Sequence, residues 1–313
     1  MKNVIKSALA IILTLFMIVS LISCGFVEIE DIDGDTVGDT KDVASGGSGD
    51  NGDSSTTEQE NGGEEEPATV GEMVCFEYNG ITVTAKEMIY DTFLGAGIKL
   101  HIENNSDKDY SIGAEQVIVN NCMITDYFSC TVAAGKKANE TMYLSSSDLS
   151  AAGIDNIGQV EVYFYVYDST TYDRIYETDC VTIKTSLYDE MDTTVENAGY
   201  TLYEKDGIKI VGKYVDEFTI WGKAVVLYIE NNSNTNITVS CEDMSINGYM
   251  VTEFFSQTIY SGKYAISDIT ISSSSLTEND ITEIEEFELK FRIYNADTYD
   301  TIVITDALQF RVS

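Results

Sequence analysis

The sequence predicts an all-β fold made of two tandem β-sandwiches, and three observations point to it. The run Ile-Glu-Asn-Asn-Ser at 102–106 returns at 229–233, and the same offset of 127 residues aligns most of two whole copies of one domain. Within each copy, β-branched and aromatic residues alternate with polar ones at period two, which is typical of half-buried strands. Helical periodicity is almost absent there, and 313 residues suit about two domains.

The chain begins with a predicted secretion signal. Lys2 and Lys6 precede an apolar run over 8–19, which is shorter than the roughly 20 residues that a membrane-spanning helix needs. The following Leu-Ile-Ser-Cys at 21–24 resembles the lipobox of bacterial lipoprotein precursors. The resemblance implies a leader over 1–23, a diacylglyceryl group on Cys24, and a chain anchored to the cell membrane on its extracellular side. An ordinary leader that happens to end near a cysteine is the alternative.

Residues 24–70 are predicted to be a disordered acidic tether. They show no apolar periodicity, and their 14 acidic residues stand against a single basic one, Lys41. Such a segment cannot bury enough apolar surface to offset its conformational entropy, and like charges extend it. The aspartates at 31, 33, 35 and 42 have EF-hand spacing, but Thr36 stands where that loop requires glycine. We therefore expect no metal site.

The charge of the chain argues against nucleic acid as a partner. The leader contributes +2 and the tether −13 to the formal charge of −35, so −24 remains on the two repeats, 71–188 and 189–313. Phosphate binding needs clustered Lys and Arg, and a surface of this acidity repels phosphate. The same acidity also serves solubility.

Cysteine usage predicts at most a disulfide in the first repeat. Besides Cys24, cysteines stand at 75, 122, 130, 180 and 241, and the first four fall opposite other residue types in the second copy. Because the second copy has the same pattern with one cysteine, disulfides are not its framework. Cys75 with Cys180, on the first and last strands of the copy, is the preferred pair, and Cys122 with Cys130 is the alternative. Cys241 is expected to be a buried free thiol.

Short strands fill each copy. They are predicted at about 76–90, 97–104, 109–119, 122–132, 137–144, 160–167 and 174–184, with counterparts 127 residues on. Serine-capped single helical turns are predicted at 147–150 and 274–277. This succession of short strands is typical of a two-sheet sandwich of immunoglobulin type, although the Cys, Trp, Cys hallmark is absent.

The turns between these strands resemble those of Ig-like domains of unknown function that recur in surface lipoproteins of low-GC Gram-positive bacteria. The motifs are the Ile-Glu-Asn-Asn-Ser strand end, the asparagine turns at 119–120 and 246–248, and Ala-Gly-Lys at 134–136 or Ser-Gly-Lys at 261–263. The resemblance covers 75–184 and 202–311. It implies a tandem Ig-like fold and no particular activity.

The strand at 160–167 supplies the candidate ligand-binding residues. Tyr163, Tyr165 and Tyr167 share its outer side, whereas the second copy has Lys290 and Arg292 opposite the first two. A row of tyrosines can stack on sugar rings or bury at a protein interface. It can also pair across strands on an exposed sheet, which is the alternative. Trp221, which stands at a strand turn, is expected in the core or at the domain junction.

No residue pattern predicts catalysis. His101 is the single histidine, and it stands opposite Tyr228 in an alternating strand, which favours a structural or surface role. The paired carboxylates of a glycosidase need a cleft, and no long loops are present to build one. We expect a non-enzymatic, membrane-anchored extracellular lipoprotein without cofactors that binds or scaffolds a surface protein or glycan. The alternatives are a carbohydrate-binding or adhesion module that uses the tyrosine face, and an unrecognised hydrolase.

Overall fold

The computed structural model describes residues 67–125, 128–216, 219, 222–252 and 254–311. The predicted leader, Cys24, nearly all of the predicted tether and Trp221 lie outside the described residues. Within the described part the chain is all-β as predicted, and its strands pair antiparallel except at one parallel bridge. No helix of this part is long and apolar enough to cross a membrane.

The two repeats contain the same elements. In the first repeat these are β1 (Met73–Tyr78), β2 (Ile81–Asp91), β3 (Gly95–Asn104), β4 (Tyr110–Val119), β5 (Cys122–Ile124), β6 (Ser129–Val132), β7 (Lys136–Tyr143), α1 (Ser146–Ala151), β8 (Gln159–Asp168), β9 (Arg174–Glu177) and β10 (Val181–Lys184). In the second repeat they are β11 (Tyr200–Lys205), β12 (Ile208–Asp216), β13 (Gly222–Asn231), β14 (Ile237–Ile246), β15 (Tyr249–Met250), β16 (Ser256–Ile259), β17 (Lys263–Ser272), α2 (Ser273–Glu278), β18 (Glu286–Asn295), β19 (Thr301–Ile304) and β20 (Leu308–Arg311). Each of these second-repeat elements begins 127 residues after its counterpart, so the offset found in the sequence is also the offset of the structure.

Three predicted strands are each divided by a turn. The segment predicted at 76–90 is the β1–β2 hairpin, in which Asn79 and Gly80 have φ values of 44° and 84°. Asn-Gly is the favoured two-residue hairpin turn because both residues tolerate positive φ. In the same way, 122–132 forms β5 and β6, and 174–184 forms β9 and β10. The predicted boundaries were wrong at these turns, although the strands themselves are present.

Each repeat packs two sheets around an apolar core. In the first repeat, β1, β2, β3 and β7 form one sheet, and β4 and β8 with their neighbours β5, β6, β9 and β10 form the other. Inward-facing side chains of both sheets, such as Ile102 and Phe164, are fully buried, and burial of this kind contributes about 1.5–3 kcal/mol per side chain. Ser145 and Ser272 cap α1 and α2 through their side chains, as predicted for the two helical turns.

The repeated Ile-Glu-Asn-Asn-Ser run places a buried asparagine at the end of β3. Asn104 Nδ2 donates to Lys108 O at 2.7 Å and to Val132 O at 2.8 Å, and Oδ1 accepts from Ser106 N at 3.1 Å. Asn231 at the end of β13 makes the equivalent bonds. Both side chains are fully buried. The repeated Ile-Glu-Asn-Asn-Ser run therefore has a structural role in each copy.

The first repeat begins earlier than predicted. Ala68 and Val70 are buried, and Val70 forms a β-bridge with Thr185. Thr69 and Ser186 exchange hydrogen bonds through their backbones and the serine hydroxyl. The predicted tether boundary at residue 70 is therefore too late, because 67–70 already pack against the end of the first repeat.

Candidate functional site

The predicted ligand face on β8 is divided between two environments, and Tyr163 lies in the one formed with the second repeat. Its ring meets that of Tyr260 from the second repeat edge-on, with 4.9 Å between the ring centroids. Desolvation by burial raises the pKa of the Tyr163 hydroxyl above its usual value. Tyr163 therefore belongs to the contact between the repeats and does not present a free ring.

Tyr165 and Tyr167 stay on the outer side of β8, but neighbouring side chains cover them. Their rings meet edge-on at 5.1 Å, and the Arg174 guanidinium lies over them at 5.0 Å and 6.0 Å from the two centroids. Tyr165 also lies across Gly113 of β4, where an added Cβ would come within 2.2 Å of the tyrosine hydroxyl. These contacts correspond to the alternative that the sequence left open, cross-strand packing on a sheet surface.

The two repeats share a buried junction, to which each contributes side chains. A parallel bridge between Cys122 of β5 and Tyr264 of β17 joins one sheet of each repeat into a ten-stranded sheet. Ile118 and Met123 of the first repeat pack in the core of the second, whereas Tyr228 and Tyr264 of the second pack in the core of the first. The junction is thus continuous with both cores.

The second repeat places two tyrosines in the junction at positions where the first repeat has polar residues. Tyr228 and Tyr264 are buried against the first repeat, whereas their counterparts His101 and Lys137 lie on the solvent-facing side of β3 and β7. The sequence prediction included the tyrosine row on β8 but neither of these two residues. The alignment of the two copies nevertheless shows both differences, because tyrosine stands in the second copy where the first has a polar residue. Aromatic residues on the outer side of a sheet in only one copy are a signal of an internal interface.

His101 lies in a polar network on the surface of β3 and β7. Its Nδ1 is 2.7 Å from Asn139 Oδ1, and its Nε2 is 3.1 Å from Glu103 Oε1. Lys137 Nζ donates to the same glutamate oxygen at 2.6 Å. Both ring nitrogens are therefore engaged by side chains of the sheet surface, as in a structural histidine.

Glu103 is expected to titrate at an unusually low pH. The hydrogen bond from the Lys137 ammonium, followed by the contact with His101, lowers its pKa from 4.5 to about 2. Because the folded pKa lies below the unfolded one, this carboxylate stabilises the fold above about pH 4.5, and the contribution is lost as the pH falls toward about 2. We expect Lys137→Met to return the Glu103 pKa toward 4.5 in an NMR titration. An unchanged pKa in the variant would contradict the role of the lysine.

The cysteines of the two predicted disulfide pairs are unpaired in the structure. All five cysteines of the described residues are free thiols, including Cys122 and Cys130, and Cys241 is free and half-buried. Cys75 lies on β1, whereas Cys180 Sγ is 3.6 Å from Glu161 Oε1 beside β8 in the other sheet. Cys75 and Cys180 therefore lie on different sheets of the first repeat, and their pairing stays a prediction. Burial raises the pKa of Cys75 to about 11 and that of Cys122 to about 12, which keeps both thiols protonated.

A cavity of about 370 Å³ opens at the end of the first repeat where β2 turns into β3. Phe93, Phe128 and Tyr143 line it with aromatic rings, and the hydroxyl-bearing serines at 145–147 line its rim. Phe93 is 92% exposed, and Asp91 Oδ1 fixes its turn by accepting from its backbone N–H at 2.8 Å. An aromatic ring on a fixed turn above such a cavity suits a sugar ring or an apolar side chain.

The sequence prediction did not include this cavity. Phe93 lies in a turn, outside the alternating pattern that identified strands, and the rings around it come from distant segments. An exposed apolar pair, Phe93 and Leu94, in a tight turn was the available signal. Within the described residues, no three His, Cys, Asp or Glu side chains are placed to hold a metal ion.

Comparison with known proteins identifies no family. No protein-family model and no curated protein matches the chain. Among solved structures, the red sea bream transglutaminase is 10% identical over 78% of this chain and 31% of its own, with a TM-score of 0.20. A protein of unknown function from Porphyromonas gingivalis W83 is 10% identical over 79% and 98%, with a TM-score of 0.19. CBD12 from CALX1.2 is 8% identical over 65% and 76%, with a TM-score of 0.17.

These scores are too low to carry an argument about fold or function. The chain also spans only about a third of the length of the transglutaminase.

Proposed function

We propose that this chain is an extracellular lipoprotein, anchored to the cell membrane through Cys24, whose two Ig-like β-sandwich repeats act together as one binding or scaffolding unit. The Leu-Ile-Ser-Cys run at 21–24 supports the anchor, and the acidic composition of 24–66 supports a spacer behind it. The turn motifs and the two packed sheets of each repeat support the Ig-like fold.

The observation that carries the proposal is the buried junction between the repeats. Two independent domains on a polar linker would expose polar surfaces to each other, whereas here Met123 and Tyr228 are each buried in the core of the opposite repeat. A pair held in one geometry presents its loops in a fixed arrangement. Preorganisation of this kind lowers the entropic cost of binding a partner, which favours recognition or scaffolding.

Cys24→Ala is expected to abolish lipid attachment. Without the thiol no diacylglyceryl group can be attached, and two acyl chains are what hold such a protein stably on a bilayer. The measurement is the incorporation of labelled palmitate into the protein in growing cells. Ser23→Ala, which keeps a small residue before the cysteine, is the control and should remain labelled. Labelling of Cys24→Ala at the wild-type level would contradict the anchor.

Carbohydrate binding is the second candidate, and the cavity beside Phe93 favours it more than the tyrosine row does. The cavity combines aromatic walls with a hydroxyl rim, whereas Tyr163 is half-buried against Tyr260 and Arg174 covers Tyr165 and Tyr167. Within the described residues, no arrangement favours the hydrolase alternative.

Phe93→Ser is expected to weaken binding at least about tenfold, because removal of an aromatic anchor from an interface commonly costs 2 kcal/mol or more. The mature chain is immobilised and tested against surface extracts and a glycan library. Phe254→Ser is the control, since that ring is 88% exposed in the second repeat. Capture of a glycan favours the second candidate, and capture of a surface protein favours the first. Equal capture by Phe93→Ser and by the wild type would place the site elsewhere.

A further inference from the structure

A lysine, an asparagine and a glutamate meet where the two repeats join. Lys263, at the start of β17, donates from Nζ to Asn121 Oδ1 at 2.9 Å and to Glu161 Oε2, and both of these acceptors belong to the first repeat. The lysine and glutamate side chains are only 15% and 14% exposed. The backbone is fixed as well, because Tyr264 N donates to Asn121 O at 3.2 Å.

Asn121 occupies a position at which turn chemistry favours glycine. It is the second residue of the β4–β5 hairpin turn and has a φ of 69°, and the second repeat has Gly248 there with a φ of 82°. Two-residue turns of this kind prefer Asn-Gly, because glycine takes positive φ without steric cost. Asparagine at this position gives up that advantage. Its amide contact with Lys263 supplies a reason for it.

The lysine and the glutamate have counterparts in the other copy that lie in different surroundings. Lys136, opposite Lys263, is exposed at the start of β7. Glu288, opposite Glu161, lies on β18 beside Gln309, with 3.3 Å between the amide nitrogen and the carboxylate oxygen. Among the described residues, the contact of a lysine with an asparagine and a glutamate is therefore found at the junction and not at the equivalent positions of the other copy.

We propose that Lys263 and Asn121 form an intramolecular isopeptide bond that locks the two repeats together, with Glu161 transferring the protons. Lys263 Nζ is already at hydrogen-bond distance from the oxygen of the amide group whose carbon it attacks. Holding the two groups in contact lowers the entropic barrier to a step that is slow between free molecules.

The reaction needs no cofactor and no oxidant. The Glu161 carboxylate takes a proton from the Lys263 ammonium, and the resulting amine attacks Asn121 Cγ to give a tetrahedral intermediate. Glu161 then delivers its proton to Nδ2 and takes a second proton from Nζ. The Cγ–Nδ2 bond breaks and ammonia leaves. The products are a Cγ–Nζ amide, one ammonia molecule and a protonated Glu161, which exchanges its proton with solvent.

A bond at this place would act on the whole two-repeat unit. It closes the chain between 121 and 263 into a loop, which restricts the unfolded state and keeps the repeats together when the rest of the junction opens. The proposal does not depend on the membrane anchor or on any ligand, so it can fail or hold independently of the proposed function.

Peptide mass spectrometry of the purified full-length chain tests the proposal. We expect the tryptic peptide that contains Asn121 to be joined to the one that contains Lys263, with a mass lower by one ammonia than the sum of the two. Lys263→Arg and Asn121→Ala should give separate peptides only. The matched controls Lys136→Arg and Glu288→Gln, at the equivalent positions of the other copy, should keep the joined peptide.

Glu161→Gln is the decisive variant, because it keeps the size of the side chain and one acceptor oxygen for Lys263 but cannot take up a proton as the carboxylate does. It should fold, as judged by circular dichroism, and yield separate peptides. A folded wild-type chain that yields only separate peptides after prolonged incubation would overturn the proposal. A joined peptide that persists in Glu161→Gln would overturn the role of the glutamate.

Discussion

Tyr228→Ala is expected to lower the free energy of unfolding by about 3–5 kcal/mol, because it truncates a large buried ring. The Tyr228 side chain is 2% exposed and packs among core residues of the first repeat, with its ring 5.8 Å from that of Tyr264 between centroids. The cavity left by the truncation would lie where the second repeat packs into the core of the first. The loss should therefore fall on the contact between the repeats.

Denaturant unfolding followed by circular dichroism measures this effect. The wild type should unfold in one transition and the variant in two, because the repeats lose their coupling. The separation should be clearest in a Lys263→Arg background, in which no covalent link can form. His101→Ala is the matched control at the equivalent position of the first repeat, where it should cost less than about 1 kcal/mol because the histidine lies on the solvent-facing side of its sheet. Similar losses in both variants would contradict the junction.

The internal offset predicted most of the fold from sequence. An alternating strand such as β8 could be recognised in each copy independently, and agreement between the copies strengthened each assignment. The division of long strands was missed because period two continues across a two-residue turn. At Asn79 and Gly80 only the positive φ of both residues breaks the pattern, and the Asn-Gly pair was the local signal for it.

The candidate sites were harder to predict, because they depend on contacts between distant parts of the chain. An outward-facing Tyr163 has the same alternation whether solvent, a ligand or the other repeat covers it. The partner that decides the matter, Tyr260, lies about a hundred residues further along the chain. The cavity beside Phe93 likewise needs rings from separate strands. A position-by-position comparison of the two copies can identify residues of such contacts from sequence, because a residue buried at the junction differs in type from its exposed counterpart.

Asn104→Ala is expected to lower the free energy of unfolding by about 2–4 kcal/mol, the range for leaving two buried or part-buried carbonyl groups without their donor. The lost donor bonds go to Lys108 O and Val132 O, and the bond to Val132 O is fully buried. The Asn104 side chain is 0% exposed, so water does not readily replace the lost donor at Val132 O.

Asn105→Ala, one residue on, is the matched control. That side chain is exposed, so the substitution should change the free energy of unfolding by less than about 0.5 kcal/mol. Asn231→Ala should match Asn104→Ala, because Asn231 donates to Thr235 O at 2.8 Å and to Ile259 O at 2.9 Å in the same arrangement. Denaturant midpoints of the three variants measure the differences. A loss at Asn104 no larger than that at Asn105 would mean that the repeated run is retained for a reason other than folding.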